Sequence, residues 1–156
     1  RLNTLFPYTT LFRSLEHLPP HVLRAFVRAK QPQRVILVSD CVHLAGLKPG
    51  AYDLGGIPVE LKPSGRICLS GTEYLGGSSL MLLQGVVNAM RVTDLTLRQA
   101  LACASSIPAR LFGLKHPFRL PKPGTKANFV AFTITKSHEK WKTNLKAVFI
   151  DGEQRA

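Results

Sequence analysis

The sequence predicts an α/β fold, and three segments carry that prediction. Residues 20 to 30 place apolar side chains on one face and Arg24 and Arg28 on the other, which indicates an amphipathic helix. The run Val35–Val38 is apolar and rich in β-branched residues, as in a strand that is buried on both faces. Between residues 46 and 77, short β-like segments separated by glycines indicate hairpins. A helix followed by a buried strand is one repeat of an α/β sheet, so we expect this fold class with added antiparallel strands.

The later elements follow from local signals in chain order. Ser78 or Ser79 is expected to cap a helix that runs to Met90, and Thr96 with Gln99 forms a capping-box pattern for the next helix. The remaining expected elements are a short helix from Pro108 to Gly113, strands at residues 128 to 134 and 145 to 150, and a turn at Asp151-Gly152.

The composition is that of a globular protein. The 156 residues are 45% hydrophobic and carry 21 Lys and Arg against nine Asp and Glu, a net charge of +12. This excludes wholesale disorder and collagen-like repetition, and the chain is shorter than the roughly 250 residues of a complete α/β barrel. The longest apolar stretch, residues 78 to 90, is shorter than the roughly 20 residues that a membrane span needs, so no membrane helix is expected. Cys41, Cys68 and Cys103 fit no metal knuckle or disulfide framework, so we expect reduced thiols and a cytoplasmic protein.

Residues 1 to 14 are not typical of native protein sequence. Residues 4 to 14, TLFPYTTLFRS, correspond to the translation of a nucleotide string that resembles a common sequencing adapter. We therefore expect residues 1 to 14 to be an artefact and native sequence to begin near Leu15. Finding these codons in the genome at that locus would contradict this expectation.

Asp40 is the first candidate for a chemical role. A carboxylate at the carboxyl end of a buried parallel strand stands where α/β barrels place their catalytic groups. Position alone leaves a second interpretation open, in which Asp40 only forms a turn or caps a helix.

Four segments, taken in order, resemble one family. They are LVSDCVHLAGLKPGAYDLGGIPVEL (37 to 61), YLGGSSLMLLQGVVNAM (74 to 90), ASSIPARLFGL (104 to 114) and PGTKANFVAF (123 to 132). Together they are similar to the C-terminal part of N-acetylglucosamine-6-phosphate deacetylases of the amidohydrolase superfamily. The resemblance implies a metal-dependent TIM-barrel amidohydrolase, of which this chain would hold the last barrel helix and strand and part of a small β-sandwich. The resemblance also implies a division of the chain. Residues 15 to 48 would hold the last barrel helix, the last strand and the catalytic loop, and residues 49 to 77 would hold the hairpins and a substrate loop. Residues 78 to 114 would form C-terminal barrel helices, and residues 115 to 156 would form strands of the β-sandwich.

The resemblance also implies roles for individual residues. Asp40 matches the catalytic aspartate of the family's TDA motif, which acts as general acid and base. His17 matches a histidine that contacts the sugar, although the acid and glycine that usually precede it are replaced by Ser14 and Leu15. A substrate loop of the pattern LSG matches Leu75, Gly76 and Gly77, with glycine where serine is usual. Cys41, Val42 and His43 also depart from the residues usual after the aspartate.

Further expectations concern the whole enzyme. The family uses a divalent metal of the zinc or iron type, and its ligands, a Glu and two His, are expected in an N-terminal part that this chain lacks. The piece alone is therefore expected to bind no metal and to be inactive. The substrate would be a small amino sugar phosphate, and the whole enzyme would be a homodimer. A single barrel strand would leave two sheet edges unpaired, which predicts poor solubility.

Two other functions remain open. From Lys115 to Lys146 there are eight basic residues against Glu139 alone, with aromatic residues interleaved, which is typical of nucleic-acid binding. The competing interpretation is a solvated face over a small sheet, which we favour because no nucleic-acid motif accompanies the pattern. Another amidohydrolase acting on a cyclic amide is the second alternative, and the GGSSL segment at residues 76 to 80 disfavours it.

Overall fold

The computed structural model describes residues 9 to 12, 19 to 114, 123 to 124, 126 to 137 and 140 to 156. Within these residues the strands are β1 (Thr9–Phe12), β2 (Val35–Val38), β3 (Gly50–Asp53), β4 (Pro58–Leu61), β5 (Arg66–Leu69), β6 (Leu75–Ser78), β7 (Phe129–Ser137), β8 (Lys140–Ile150) and β9 (Glu153–Gln154). The helices are α1 (Pro20–Lys30), α2 (Leu82–Val92), α3 (Leu97–Ala104) and α4 (Ser106–Leu111). None of the helices in the described residues combines the length and the apolar character needed to span a bilayer.

Helix α1 and strand β2 occupy the predicted residues, and they form one layer of the larger core. Val35 and Leu37 of β2 are buried in this core, where β2 packs against α2, α3 and α4. The fully buried side chains of this core include Leu23, Val86, Ala89, Ala100 and Cys103. Arg24 of α1 donates its Nε–H to the carbonyl oxygen of Val92 at 3.0 Å, so it satisfies an acceptor at the C-terminal end of α2. The amphipathic pattern of α1 thus correctly predicted that Leu23 and Val27 pack inward, whereas the apolar Phe26 of the same helix is exposed.

Strand β2 has a parallel neighbour that was not predicted. β1 pairs with it from Thr9↔Val35 through Phe12↔Val38, so one edge of β2 is covered. The expectation that both edges would be unpaired is therefore wrong. The physical reason is that an extended segment at either end of a chain can satisfy the backbone groups of an open edge, whatever the origin of its sequence.

The predicted hairpins form a four-stranded antiparallel sheet in the order β3-β4-β5-β6. Leu44, Val59, Leu61 and Ile67 make its apolar core. Strand β6 was interpreted as a glycine-containing loop, but residues 75 to 78 pair with β5.

Helix α2 begins later than predicted and without a side-chain cap. Its first residue is Leu82, and neither Ser78 nor Ser79 caps it. The hydroxyl of Ser78 instead accepts from the Leu80 amide at 3.1 Å, and that of Ser79 donates to the carbonyl of Gly65. Both serines are thus engaged by the turn before α2.

The capping box of α3 is confirmed. The Gln99 amide donates to Thr96 Oγ1 at 3.3 Å, and the Thr96 amide donates to Gln99 Oε1 at 2.9 Å.

The C-terminal strands are longer than predicted and form one sheet in the order β7-β8-β9. β7 and β8 pair from Phe129↔Phe149 to Ser137↔Lys140, and the predicted turn at Asp151-Gly152 leads into β9. Residues 135 to 137 and 140 to 144 were not predicted as strand, because they are mostly Thr, Lys and other polar residues and show no regular alternation with apolar side chains. Backbone pairing nevertheless continues through these residues.

Candidate active site

Asp40 lies just beyond the carboxyl end of β2, in an unusual backbone conformation. Its side chain is exposed, and its φ of +55° lies in the left-handed region that few residues other than glycine adopt. The Cys41 amide donates to Ser39 Oγ at 3.2 Å, so the flanking residues are hydrogen-bonded to each other across Asp40. This hydrogen bond brackets Asp40 just beyond the end of β2, without a turn or bend of the chain at residues 39 and 40.

The chain after Asp40 is held against strand β6. Cys41 forms a parallel bridge with Ser78, and the Val42 amide donates to the Ser78 carbonyl at 2.9 Å. Ser78 is itself buried, with 5% of its surface exposed. Because neighbouring strands lie about 4.8 Å apart, the backbone beside Asp40 stands within roughly one strand spacing of β6.

The glycines of β6 allow this close approach. A Cβ on Gly77 would come within 3.2 Å of Val42 Cγ1, and the φ of Gly77 is +154°. A Cβ on Gly76 would come within 3.1 Å of Val59 Cγ1 on the neighbouring strand. Both the backbone conformation and the packing of Val42 therefore favour glycine at residue 77.

Of the five predicted site residues, the structure places Gly77 beside the loop that follows Asp40, and Leu75 and Gly76 precede Gly77 on the same strand. Leu75, Gly76 and Gly77 form the half-buried strand that contacts the loop after Asp40. His17, the fifth, lies outside the described residues. The residues predicted as a substrate loop thus lie in a strand that pairs with β5.

Sequence reasoning missed Ser39, Val42 and Ser78. Ser39 contributes a hydroxyl acceptor, Val42 a backbone donor and Ser78 a backbone acceptor. A serine directly before the aspartate was the one local signal, since serine hydroxyls commonly accept from the amide two residues on. The other two depend on a contact between residues 36 positions apart and leave no local pattern.

One carboxylate does not make a metal site. In the parts of the chain that the structure describes, no group of three or more His, Cys, Asp or Glu side chains could hold an ion. The free thiols of Cys68 and Cys103 are buried, and that of Cys41 is partly exposed. Asp40 can contribute one carboxylate to a metal or act as a proton acceptor.

The basic C-terminal segment uses its aromatic rings within the sheet. Lys136 Nζ lies 4.2 Å from the centre of the Trp141 ring, and the Phe129 and Phe149 rings stack at 4.6 Å. Lys126 pairs with Asp151 at 3.0 Å. These contacts favour the structural interpretation of the segment over stacking on nucleic-acid bases.

Comparison with known proteins identifies relatives. Residues 23 to 155 match the profile of the amidohydrolase family, whose members are generally metal-dependent. The chain is 32% identical over 116 residues to the N-acetylglucosamine-6-phosphate deacetylase of Vibrio furnissii, covering 74% of this chain and 29% of that enzyme. It is 33% identical over 138 residues to the enzyme of that name from Mus musculus, covering 88% and 31%. It is 32% identical over 99 residues to the N-acetylgalactosamine-6-phosphate deacetylase of Escherichia coli O157:H7, covering 64% and 26%. The chain thus spans about a third or less of these three relatives.

Solved structures show the same fold. The N-acetylglucosamine-6-phosphate deacetylase of Pasteurella multocida superposes with a TM-score of 0.77 at 23% identity, covering 96% of this chain and 37% of that one. The enzyme of that name from Thermotoga maritima gives 0.73 at 24% identity, covering 94% and 38%. The predicted fold class, part of a TIM-barrel amidohydrolase with strands of a β domain, is confirmed. The family profile extends over most of the chain, including Asp40, β6 and the C-terminal sheet. The chain belongs to the amidohydrolase family.

Proposed function

We propose that this chain carries the general acid and base of an amidohydrolase that removes the acetyl group from N-acetylglucosamine 6-phosphate. The observation that carries the proposal is the hydrogen bond from the Val42 amide to the Ser78 carbonyl, because it holds the loop of Asp40 beside Gly77. A proton-transfer group and a substrate-binding strand must lie this close if both are to reach one small molecule. The family membership and the names of the relatives support the same activity.

Asp40 supplies the proton transfers in this proposal. Its carboxylate oxygen accepts a proton from the water that attacks the acetyl carbonyl carbon. The same oxygen then returns the proton to the nitrogen of the departing amine, so Asp40 ends the cycle ionised. A divalent metal of the zinc or iron type, held by other residues of the whole enzyme, would lower the pKa of the attacking water to about 7.

Leu75, Gly76 and Gly77 bind the substrate in this proposal, together with His17. Gly76 and Gly77 let β6 pack closely against Val59 and Val42, which fixes the position of the strand that the sugar would contact. His17 would donate or accept a hydrogen bond with the sugar.

Other properties belong to the whole enzyme. We propose that its metal ligands, a Glu and two His, lie outside this chain, so that the chain alone is inactive. We further propose a homodimer that acts in the cytoplasm. The free state of Cys41, Cys68 and Cys103 supports a reducing compartment.

The proposal also selects one of two epimers of the sugar, N-acetylglucosamine 6-phosphate over N-acetylgalactosamine 6-phosphate. A relative named for N-acetylgalactosamine 6-phosphate is as similar, at 32%, as one named for N-acetylglucosamine 6-phosphate. We favour the latter because the match to the Mus musculus enzyme extends over 138 residues, against 99 for the galactosamine relative.

A chimera tests the substrate. Residues 23 to 155 would replace the corresponding segment of the Vibrio furnissii enzyme. Acetate release would be measured with both epimers, and ring opening would be measured with a cyclic amide such as dihydroorotate. We expect the highest kcat/KM with N-acetylglucosamine 6-phosphate. Circular dichroism and gel filtration would verify that the chimera folds like its parent.

Two results would contradict the proposal. One is a well-folded chimera that hydrolyses the cyclic amide and neither sugar. The other is metal-dependent deacetylation by purified residues 15 to 156 alone, which would overturn the assignment of the metal ligands to another part of the enzyme.

A further inference from the structure

We propose that Ser39 is a positioning residue for Asp40, acting through its hydroxyl to hold the aspartate in the left-handed backbone conformation. The Cys41 amide donates to Ser39 Oγ at 3.2 Å, and Asp40, enclosed by this bond, has a φ of +55°. The inference rests on the proposed function for its catalytic meaning, although the conformational claim stands independently of it.

The left-handed conformation needs a stabilising contact. In an L-residue with φ near +55°, Cβ crowds the neighbouring backbone, so such residues otherwise prefer negative φ. Aspartate tolerates the conformation better than most residues, because its short side chain can form a local hydrogen bond. The Ser39 hydroxyl adds a local contact, since it accepts from the Cys41 amide across Asp40.

Asp40 is the residue between two fixed anchors. On one side, Val35 and Leu37 of β2 are almost fully buried, with 0% and 2% of their surfaces exposed. On the other side, the Val42 amide is bonded to the Ser78 carbonyl at 2.9 Å. Because both flanks are fixed, a change of φ at Asp40 would redirect its carboxylate rather than move the whole loop.

The consequence for catalysis is specific. If Ser39 sets the direction of the Asp40 carboxylate, its loss misdirects the proton acceptor while Leu75, Gly76 and Gly77 remain in place. Substrate binding and proton transfer should then respond differently. We expect Ser39→Ala in the chimera described above to lower kcat about tenfold or more with little change in KM.

The conformational claim is tested by NMR on the full 156-residue chain. Ser39→Ala is compared with the original sequence, and Ser39→Thr serves as the conservative variant that keeps a hydroxyl. The one-bond Cα–Hα coupling of Asp40 reports the sign of φ, and hydrogen exchange of the Cys41 amide reports the hydrogen bond. The exchange of the Leu37 amide serves as an internal control for β2.

We expect Ser39→Ala to shift Asp40 towards negative φ and to raise the exchange rate of the Cys41 amide about fivefold or more. Ser39→Thr should keep both the positive φ of Asp40 and the slow exchange of the Cys41 amide. A positive φ at Asp40 and an unchanged Cys41 exchange rate in Ser39→Ala would overturn the inference.

A second comparison keeps the claim testable if Ser39→Ala destabilises the fold. Glycine adopts positive φ readily, so Ser39→Ala should lower the urea midpoint less in an Asp40→Gly background than alone. Equal decreases in the two backgrounds would overturn the inference. These readouts involve no turnover, so their failure leaves the proposed deacetylase activity standing. Conversely, an unchanged rate in Asp40→Asn would refute that activity and leave the backbone result intact.

Discussion

Val42 and Ser78 are joined by a backbone hydrogen bond of 2.9 Å between segments that are 36 residues apart. The bond links the loop after β2, which belongs to the larger core, to β6 of the four-stranded sheet. Asp40 precedes this link by two residues, and Gly77 lies directly beside it. The position of the candidate proton acceptor relative to the candidate substrate strand therefore depends on this contact.

Replacing Gly77 by Ala should destabilise the chain by about 1–3 kcal/mol, because the new Cβ would both strain the backbone and press on Val42. Gly71→Ala is the matched control, since Gly71 also has a positive φ of +75° but nothing within 4 Å of an added Cβ. Urea unfolding measures both variants. Adding Val42→Ala should recover part of the loss caused by Gly77→Ala. A loss at Gly77 no larger than at Gly71 would contradict this account of the packing.

Gln84 should contribute through both ends of its amide. Its Nε2 donates to the Trp141 carbonyl at 2.8 Å, and its Oε1 accepts from the Thr143 amide at 3.0 Å, so it satisfies the β8 edge as a neighbouring strand would. We expect Gln84→Ala to cost about 1–3 kcal/mol and to accelerate hydrogen exchange at Thr143. Gln84→Glu keeps the acceptor for Thr143 and loses the donor to Trp141. It should therefore preserve more of the exchange protection than Gln84→Ala, and equal protection in the two variants would refute this role.

Asp94 should make stability depend on pH in the acid range. The hydrogen bond and the charge of Arg28, at 2.7 Å, lower the pKa of Asp94 below its ordinary value of 3.8. A carboxyl with a lowered pKa in the folded state stabilises the fold above the unfolded pKa, and that stabilisation is lost as pH falls through the folded pKa. The difference in urea midpoint between the original chain and Asp94→Asn should thus be present at pH 6 and vanish in strong acid. Both side chains are about two-thirds exposed, so we expect a small difference that 1 M salt reduces. A difference that grows as pH falls would contradict the assignment.

Removing residues 1 to 14 should uncover the β2 edge. β1 covers that edge in parallel register, and an uncovered apolar strand tends to pair with another chain. We expect the shortened chain to associate more strongly in light scattering at equal concentration. A shortened chain that stays as monomeric as the full one would show that β1 does not protect the edge.

Local signals predicted the elements whose causes are local. The amphipathic spacing of residues 20 to 30 and the Thr96-Gln99 pattern each contain their own physical cause, and both predictions are confirmed. Strand β6 was missed because its two glycines have low strand propensity and pair only because β5 is beside them. The start of α2 was missed because the hydroxyls of Ser78 and Ser79 bond to other backbone groups.

The site residues also divide into those predicted from local signals and those that depend on packing between distant segments. Asp40 was predicted because the end of a buried strand is visible in the sequence, and the family resemblance added Leu75, Gly76 and Gly77. The left-handed backbone of Asp40 and the contact between Val42 and Ser78 were not predictable. They depend on how separate segments pack, and no periodicity encodes such packing.

The central claim is that Asp40 transfers the proton in amide hydrolysis. The most direct test is the rate of acetate release from N-acetylglucosamine 6-phosphate by the chimera, with and without Asp40→Asn, after gel filtration and circular dichroism have matched the two folds. Asparagine keeps the size and the tolerance of positive φ but cannot accept the proton. We predict that Asp40→Asn lowers kcat by about 100-fold or more. A rate within about twofold of the parent chimera, too small a change for the loss of a proton acceptor, would contradict the claim.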